Sequence, residues 1–475
     1  MSPVQQDQQQ FDKDVEDIFL EDEEPSASTS NQEFLSFAAT MAPSEDGFDK
    51  TQVARLISQY GSASSTAWLE FSRYKIWQAP ESFLKDHPNA TFLPTQGYMQ
   101  HKRWVFAWGN PLVSSVSLLK PAAQSFIGWA EKEGLKPVWC CTDAAMEAVL
   151  GKDKEIAWSA VECIHEEVLE PEHILEMTSD SYRGKEGVHA VKDLKKNLRR
   201  AERSGVKIEE TTGKWTAKDR KEVEEGLWEW KKSKGMKGVQ IASTTGQPWI
   251  DEPHRRYLVA RHEGHIVGIL ILTPIHGPYE APKSAPAPAL AAPARVSLQE
   301  RLRSLSRKPA AEKQPVASSE PSSESDSSSA PSPTFSRVSS SSSLSDDFAL
   351  DGLSSNYYLI KNAISFPIAP RGTSELLIHS SLELLHKAAG GREAPKVTFG
   401  ITASDNLTPI DNLSGWKIHG LSKIYGKVAG TAGLLKRGDF RAKFDSGRVP
   451  AYVCYPKEEG FGVDGIKSLL KVLRK

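Results

Sequence analysis

The sequence predicts a mixed α/β protein built from two similar halves, with a long insertion inside the second half. Helix and strand patterns alternate along the chain, and the order hairpin, helix, short strand, short helix, strand occurs twice. A serine-rich tract interrupts the second set after its hairpin. Because the entropy of loop closure grows slowly with length, an insertion of this kind is tolerated within a domain.

Each predicted element follows from periodicity and from glycine or proline at its ends. In the first half, helices are predicted at 49–60, 118–133 and 143–150, and strands at 68–77, 97–108, 137–141 and 156–163. In the second half, a hairpin is predicted at 257–260 and 265–274, with strands at 356–365, 396–401 and 449–455 and helices at 373–389 and 418–435.

Two stretches have the composition of disordered chain. Residues 1–45 form an acidic, polar tail, and residues 280–350 hold 20 serines. Neither stretch has enough apolar surface to offset the entropy lost on ordering. The predicted domains are therefore residues 46–180 for the first unit, and residues 181–279 with 351–475 for the second.

Composition limits the classes of function. The formal net charge is −2, and the four cysteines show no CxxC spacing, which predicts neither a zinc site nor a disulfide framework. The beginning of the sequence lacks a signal pattern, and no apolar run is long enough to span a bilayer. We therefore expect a cytoplasmic protein that works on any lipid from the membrane surface.

A basic amphipathic helix is predicted within residues 190–207. Its apolar residues Val191, Leu194, Leu198 and Ala201 recur at helical spacing, and Gly205 ends it. The remaining surface carries Lys192, Lys195, Lys196, Arg199, Arg200 and Arg203. Trp215, Trp228 and Trp230 follow among further cations, a combination that suits RNA, a polyanion with stackable bases. The alternative is a solvated basic surface helix.

A second basic pattern lies at residues 438–456. Arg441, Lys443 and Arg448 alternate there with Phe440, Phe444 and Tyr452. In a partly buried cleft, Lys443 would be a fixed positive charge that stabilises an oxyanion or holds a ribose or phosphate. The alternative is an edge strand with one basic face.

The search for other catalytic signatures gives little. The sequence contains no GxSxG motif and no phosphate-binding GxxxxGK[ST] motif. Gly372 and Thr373 open a helix after Arg371, which is either an anion site or a plain helix start.

The basic helix KDLKKNLRRAERSGV, the strand VTFGITA and the terminal FRAKF with PAYVCYP together resemble the catalytic domain of lysyl-phosphatidylglycerol synthases. The resemblance covers residues 50–275 and 355–457. It implies two tandem acetyltransferase-like (GNAT) units. It also implies transfer of an amino acid from aminoacyl-tRNA to a lipid hydroxyl, with no metal, no organic cofactor and no DNA partner. Lys443 matches the family's C-terminal lysine, and Arg199, Arg200 and Arg203 match its basic helix.

The chain also departs from the bacterial pattern. Residues 363–367, AISFP, stand where the family has Asp-Leu-Met-Arg, and we expect no multi-span membrane domain. The sequence is most similar to free-standing fungal members resembling ergosteryl-glycine synthase. That resemblance implies glycyl-tRNA as donor and the 3β-hydroxyl of ergosterol as acceptor. The alternative is that phosphatidylglycerol is the acceptor.

The implied mechanism is direct transfer, in which positioning supplies much of the rate. Lys443 would stabilise the oxyanion, the basic helix would hold the tRNA acceptor end, and Phe440, Arg441, Phe444, Arg448 and Tyr452 are candidate pocket residues. An acyl-CoA-dependent acyltransferase and a non-catalytic RNA-binding protein remain alternatives. Residues 295–308, RVSLQERLRSLSRK, could form a basic amphipathic helix that docks on internal membranes, or could be plain linker.

Overall fold

Eleven strands form one mixed sheet in the computed structural model, which describes residues 50–182, 189–234, 248–279, 355–413, 422, 425–426, 440–457 and 460–474. In chain order, the first strand lies at one edge of the sheet and the sixth at the other, and the last strand lies between the fourth and the fifth. The mixed α/β class predicted from the sequence is confirmed. The division into two acetyltransferase-like units stays a prediction.

The strands occupy Lys75–Gln78 (β1), Thr95–His101 (β2), Trp104–Trp108 (β3), Lys136–Thr142 (β4), Ser159–Leu169 (β5), Lys207–Glu210 (β6), Arg256–His262 (β7), His265–Ile275 (β8), Tyr357–Ser365 (β9), Lys396–Asp411 (β10) and Gly447–Tyr455 (β11). The described α-helices are Lys50–Tyr60 (α1), Ala67–Glu70 (α2), Ser82–Asp86 (α3), Leu119–Lys132 (α4), Ala144–Glu147 (α5), Pro171–Thr178 (α6), Lys192–Arg203 (α7), Ala217–Lys234 (α8), Thr373–Ala389 (α9) and Val463–Arg474 (α10).

Two strand–helix–strand crossovers give the sheet its repeated pattern. β3 and β4 are parallel and joined through α4, and β9 and β10 are parallel and joined through α9. The last strand, β11, does not extend the unit formed by β9, α9 and β10. It lies between β4 and β5, and so closes the sheet in the part built by residues 75–169.

β9 and β10 diverge soon after they meet. Their parallel pairing runs from Tyr357 to Leu359 on β9 and from Lys396 to Thr398 on β10. Beyond it, β9 continues beside β8 and β10 continues beside β5, where the register shifts around Gly400 at a positive φ of 77°. Side chains from both diverging strands line a cavity between them.

Most predicted elements of the described chain are confirmed, and one is wrong. Residues 68–77 are a helical turn, α2, followed by the short strand β1, and not one strand. Trp68 packs face-on against Gly97, where an added Cβ would come within 2.2 Å of its ring, and its Nε1 donates to the Trp108 carbonyl at 3.0 Å. The aromatic content that suggested a strand serves this buried contact instead.

Several predictions fall outside the described residues. The acidic tail at 1–45, the insertion at 280–350, the segment at 295–308 and almost all of the predicted helix at 418–435 lie there. Within the described ranges, no helix is long and apolar enough to cross a membrane.

Candidate active site

The predicted basic helix is α7, and it packs as its periodicity indicates. Leu194, Leu198 and Ala201 are buried in a core cluster that includes residues of α9 and of the sheet. Of its cations, Lys192, Lys196, Arg199 and Arg203 are exposed, whereas Lys195 and Arg200 are half-buried. Lys195 Nζ donates to the Ser179 carbonyl at 2.9 Å, so this lysine also holds the helix to its neighbour. Four cations therefore form the exposed basic face.

The three tryptophans that follow α7 do not share one surface. Trp215 packs edge-on against Tyr257 in the core, with the ring centroids 5.4 Å apart. Trp230 lines the cavity between β9 and β10. Trp228 is 47% exposed, and Lys232 Nζ lies 5.1 Å from its ring centroid. Trp228 is the member of this set that remains accessible to a base.

A hydrogen-bonded junction joins α7 to α9 and to the FRAKF segment. Glu375 Oε1, in the first turn of α9, accepts from Asn197 Nδ2 and from Lys443 Nζ, both at 2.8 Å. The two helices touch at the start of α9, where a Cβ on Gly372 would lie 2.1 Å from the Asn197 carbonyl oxygen. Gly372, at a φ of 95°, permits this contact because it has no Cβ. The start of α9 therefore serves to pack the two helices together.

Lys443 sits at the rim of this junction. Its side chain is 28% exposed, and its Nζ lies 5.0 Å from the centroid of the Phe440 ring. Phe440 in turn lines the cavity. The predicted cation is therefore half-buried and beside an aromatic ring, but it is paired with Glu375.

Arg441 fixes the FRAKF segment against the sheet. Its Nη1 lies 3.2 Å from Glu167 Oε2, its Nη2 donates to the Phe399 carbonyl at 2.9 Å, and Nη1 also donates to Thr402 Oγ1. Arg441 is buried and lines the cavity. Because its charge is balanced by Glu167, it is suited to positioning the cavity wall.

The other three candidate pocket residues lie away from the cavity lining. Phe444 has no exposed surface and packs in the core, with its ring centroid 5.5 Å from that of Phe399. Arg448 is half-buried on β11, opposite Glu167 in the strand register. Tyr452 is buried on the same strand between β4 and β5, and burial raises the pKa of its phenol.

The cavity has a volume of about 240 Å³ and is walled by the diverging strands, the segment before α2, and α8. Its lining residues are Ala63, Ser64, Thr66, Ala67, Trp108, Trp230, Leu359, Ile360, Lys361, Asn362, Ala363, Ile364, Phe399, Gly400, Ile401, Phe440 and Arg441. The wall is largely apolar with a few polar groups, which is the usual composition of a small-molecule site.

Lys361 and Asn362 are among the polar residues of this wall that the sequence reasoning missed. Lys361 is buried, with Nζ 2.8 Å from Glu70 Oε1 and 2.9 Å from Thr66 Oγ1. Burial lowers the pKa of Lys361 to about 8, against the opposing effect of Glu70 and with a further lowering by Arg255. Asn362 is 2% exposed, and neither atom of its amide has a hydrogen-bond partner among the described residues.

The sequence offered little sign of either residue. Lys361 lies in a predicted strand, where a lone lysine reads as solvated, and its partner Glu70 lies in the segment mistaken for a strand. Both faces of β9 are buried, so its sequence has no alternation of apolar and polar residues that would mark either residue as unusual.

These features define a class of protein: a mixed α/β fold with a cavity at diverging parallel strands and a basic helix beside it. No family model matches the chain, and no curated protein matches it. Among solved structures, the fold is similar to the C-terminal domain (DUF2156) of a protein described as a lysylphosphatidylglycerol synthetase from Agrobacterium fabrum. That match has a TM-score of 0.52 and 14% identity, and covers 90% of this chain and 95% of that one.

A second solved structure gives the same result. L-PGS from Bacillus licheniformis matches with a TM-score of 0.53 and 10% identity, over 90% of this chain and 98% of that one. At these identities the comparisons show a shared fold.

Proposed function

We propose that this protein transfers an amino acid from aminoacyl-tRNA to the hydroxyl group of a lipid. The observation that carries the proposal is the junction at Glu375, which links the basic helix α7 through Asn197 to Lys443. Lys443 belongs to the segment whose Phe440 and Arg441 line the cavity. A surface for RNA and a cavity for a reacting ester thus adjoin one another. The name of the neighbour from Agrobacterium fabrum, which describes synthesis of an aminoacylated lipid, supports the same reaction class.

In this proposal α7 holds the acceptor end of the tRNA. The exposed cations Lys192, Lys196, Arg199 and Arg203 contact phosphates, with Arg200 at the edge of the same face. Trp228, which is exposed beside Lys232, offers a surface on which an unpaired base can stack. Lys195 contributes charge, although its amine is already engaged by Ser179.

The cavity then receives the aminoacyl ester and the lipid hydroxyl. The lipid oxygen attacks the ester carbonyl, and the ribose oxygen leaves. Lys443, which lies beside the cavity residue Phe440, stabilises the oxyanion, while Arg441 holds the wall in place. Because the ester is already activated, the transfer needs no metal, no organic cofactor and no covalent enzyme intermediate.

The finer assignment is glycine from glycyl-tRNA, transferred to the 3β-hydroxyl of ergosterol. This assignment comes from the resemblance of the sequence to free-standing fungal members of the family. The apolar majority of the cavity wall suits a sterol or acyl-chain acceptor. The two tandem acetyltransferase-like units belong to the same proposal, and phosphatidylglycerol is the alternative acceptor.

Access to a bilayer is assigned to residues 295–308, as a peripheral contact made from the cytoplasm. Flotation of the purified protein with anionic vesicles tests this assignment. The full chain should rise with the lipid, and a chain lacking 295–308 should stay behind. Equal recovery of both proteins with the lipid would show that residues 295–308 do not anchor the protein to the membrane.

The test of the function is lipid extraction from cells expressing the protein, followed by mass spectrometry. We expect an aminoacylated sterol or phospholipid that is lacking in cells expressing Lys443→Ala. Treatment of the lysate with ribonuclease should stop its formation. A product that survives ribonuclease and requires acyl-CoA would favour an ordinary acyltransferase, and RNA binding without product would favour a non-catalytic protein.

A further inference from the structure

Three ionisable side chains are buried together at the cavity wall, and one of them, Lys361, lines the cavity. The side chains of Lys361, Glu70 and Arg255 are 3%, 1% and 0% exposed. Glu70 Oε1 lies 2.8 Å from Lys361 Nζ and 3.3 Å from Arg255 Nη2. Two cations therefore share one carboxylate, and all three side chains are almost fully buried.

This cluster carries one positive charge too many if all three groups are ionised. An uncompensated charge is expensive to bury, so one group is expected to become neutral. Arginine does not lose its proton in proteins, and protonation of a carboxylate would only increase the excess positive charge. Loss of a proton from Lys361 can remove the excess charge of the cluster. The pKa of Lys361 is lowered to about 8, and burial is the largest cause.

Lys361 Nζ makes two hydrogen bonds with the described residues. Nζ donates to Glu70 Oε1 and to Thr66 Oγ1, at 2.8 and 2.9 Å. Thr66 Oγ1 donates its own hydrogen to the Ala63 carbonyl at 2.8 Å, so it acts as an acceptor for Lys361. A neutral amine has two hydrogens and one lone pair. Both hydrogens are used, and the lone pair is the position that remains.

Asn362 supplies a second sign that a polar ligand enters this cavity. It lines the cavity beside Lys361, is 2% exposed, and its Nδ2 and Oδ1 have no partner among the described residues. A buried amide left without hydrogen-bond partners is unfavourable, because it has lost its bonds to water without replacement. A ligand with a hydrogen-bond donor and an acceptor, such as an aminoacyl ester with a nearby hydroxyl, would satisfy both atoms.

We propose that Lys361 is a catalytic residue that takes the proton from the acceptor's hydroxyl in the cavity. This assignment rests on the proposed function. The acceptor O–H bond breaks as its oxygen forms a bond to the ester carbonyl carbon, and the proton goes to Lys361 Nζ. The bond from that carbon to the ribose oxygen then breaks. The same proton passes from Nζ to the departing ribose oxygen, which restores the neutral amine.

The experiment measures kcat of the purified full chain against pH, with saturating aminoacyl-tRNA and acceptor vesicles, from about pH 6 to 8.5. For the wild type, log kcat should rise with a slope approaching one and level off near pH 8, since the neutral amine is the active form. Lys361→Met and Lys361→Arg should each lose about 100-fold or more in kcat and lose the slope. Lys361→Met leaves Glu70 and Arg255 as a balanced ion pair, and Lys361→Arg keeps two cations beside Glu70.

Exposed Lys132 provides the matched control, and Lys132→Met should keep both the rate and the slope. Unchanged tRNA affinity and an unchanged melting temperature would show that the Lys361 variants are folded. A wild-type kcat that does not vary with pH would overturn the assignment without any variant. A Lys361→Met protein that keeps the rising profile, at any rate, would also overturn it. A wild type that forms no aminoacyl-lipid would instead overturn the proposed function itself.

Discussion

Lys443 Nζ lies 2.8 Å from Glu375 Oε1, and this ion pair connects the C-terminal FRAKF segment to the first turn of α9. Glu375 is 6% exposed, and its Oε1 also accepts from Asn197 of the basic helix. One carboxylate oxygen therefore sets the position of the candidate catalytic lysine relative to the candidate RNA surface. The first prediction follows from this contact.

Replacing Lys443 by alanine should lower the rate of transfer by about 100- to 1000-fold, as expected for loss of one oxyanion-stabilising group. The affinity for tRNA should change by no more than a few-fold. Glu375→Gln keeps an acceptor for Lys443 and Asn197, so its loss of rate should be smaller. Single-turnover kinetics with labelled aminoacyl-tRNA measure both effects. Near-normal turnover in Lys443→Ala would make this lysine a structural surface residue.

Replacing Arg199, Arg200 and Arg203 by alanine should weaken tRNA binding and flatten its dependence on salt. Each lost phosphate contact removes about one unit of slope from the plot of log affinity against log salt. The fold should persist because the buried stripe of α7 is unchanged. The matched control replaces exposed Lys85, Lys132 and Lys387, which changes the charge equally away from α7. An identical salt slope in both triple variants would exclude α7 as the RNA surface.

Gly372→Ala should separate α7 from α9. The added Cβ would lie 2.1 Å from the Asn197 carbonyl oxygen, and the backbone φ of 95° is strained for any residue with a side chain. Strain of this kind costs about 1–3 kcal/mol before the clash is relieved. Thermal unfolding should show the loss, and Gly390→Ala, at a φ of 60° with nothing within 4 Å of the new Cβ, is the control. Equal effects of the two changes would show that the close contact contributes nothing.

Glu166→Gln should change how stability depends on pH. Burial raises the pKa of Glu166 from 4.5 to about 7, opposed by hydrogen bonds from Thr398 and Tyr357. Between these values the folded state holds a proton that the unfolded state releases, so this group's contribution to stability is complete below pH 4.5 and is lost as the pH rises through about 7. The variant should gain free energy of unfolding relative to the wild type over that interval, and then reach a plateau.

Denaturant unfolding of both proteins at several pH values measures this difference. The pKa of Glu147 is also raised to about 7, and burial is the largest cause. Because Glu147 titrates in both proteins, its effect cancels from the comparison. A constant difference between the two proteins from acid to neutral pH would show that Glu166 is already ionised in the folded state.

Local sequence signals predicted the elements whose ends have a local cause. The helix at 373–389 matches α9 because Gly372 and Gly390 both adopt positive φ at its ends. The stripe of α7 and the hairpin of β7 and β8 likewise depend on residues near one another in sequence. In each case the pattern and the packing agree.

Long-range contacts could not be predicted in this way. Nothing within residues 447–455 indicates that β11 pairs with β4 and β5, because strand partners are chosen by the whole sheet. The pairing of Lys361 with Glu70 is equally distant in sequence, and a charged residue in a strand ordinarily faces solvent. The sequence therefore indicated Lys443, α7, Phe440 and Arg441, but not Lys361 and Asn362 of the cavity wall.

The most direct test of the account is a reconstituted transfer reaction. Purified protein is mixed with vesicles containing ergosterol and phosphatidylglycerol and with tRNA charged with labelled glycine, and the lipid phase is analysed by mass spectrometry. We expect a glycyl ester of the sterol, and none after the charged tRNA has been digested with ribonuclease. Aminoacylated phosphatidylglycerol would change the acceptor and keep the reaction. If no aminoacyl-tRNA yields a labelled lipid, or if the yield is unaffected by ribonuclease, the central claim is wrong.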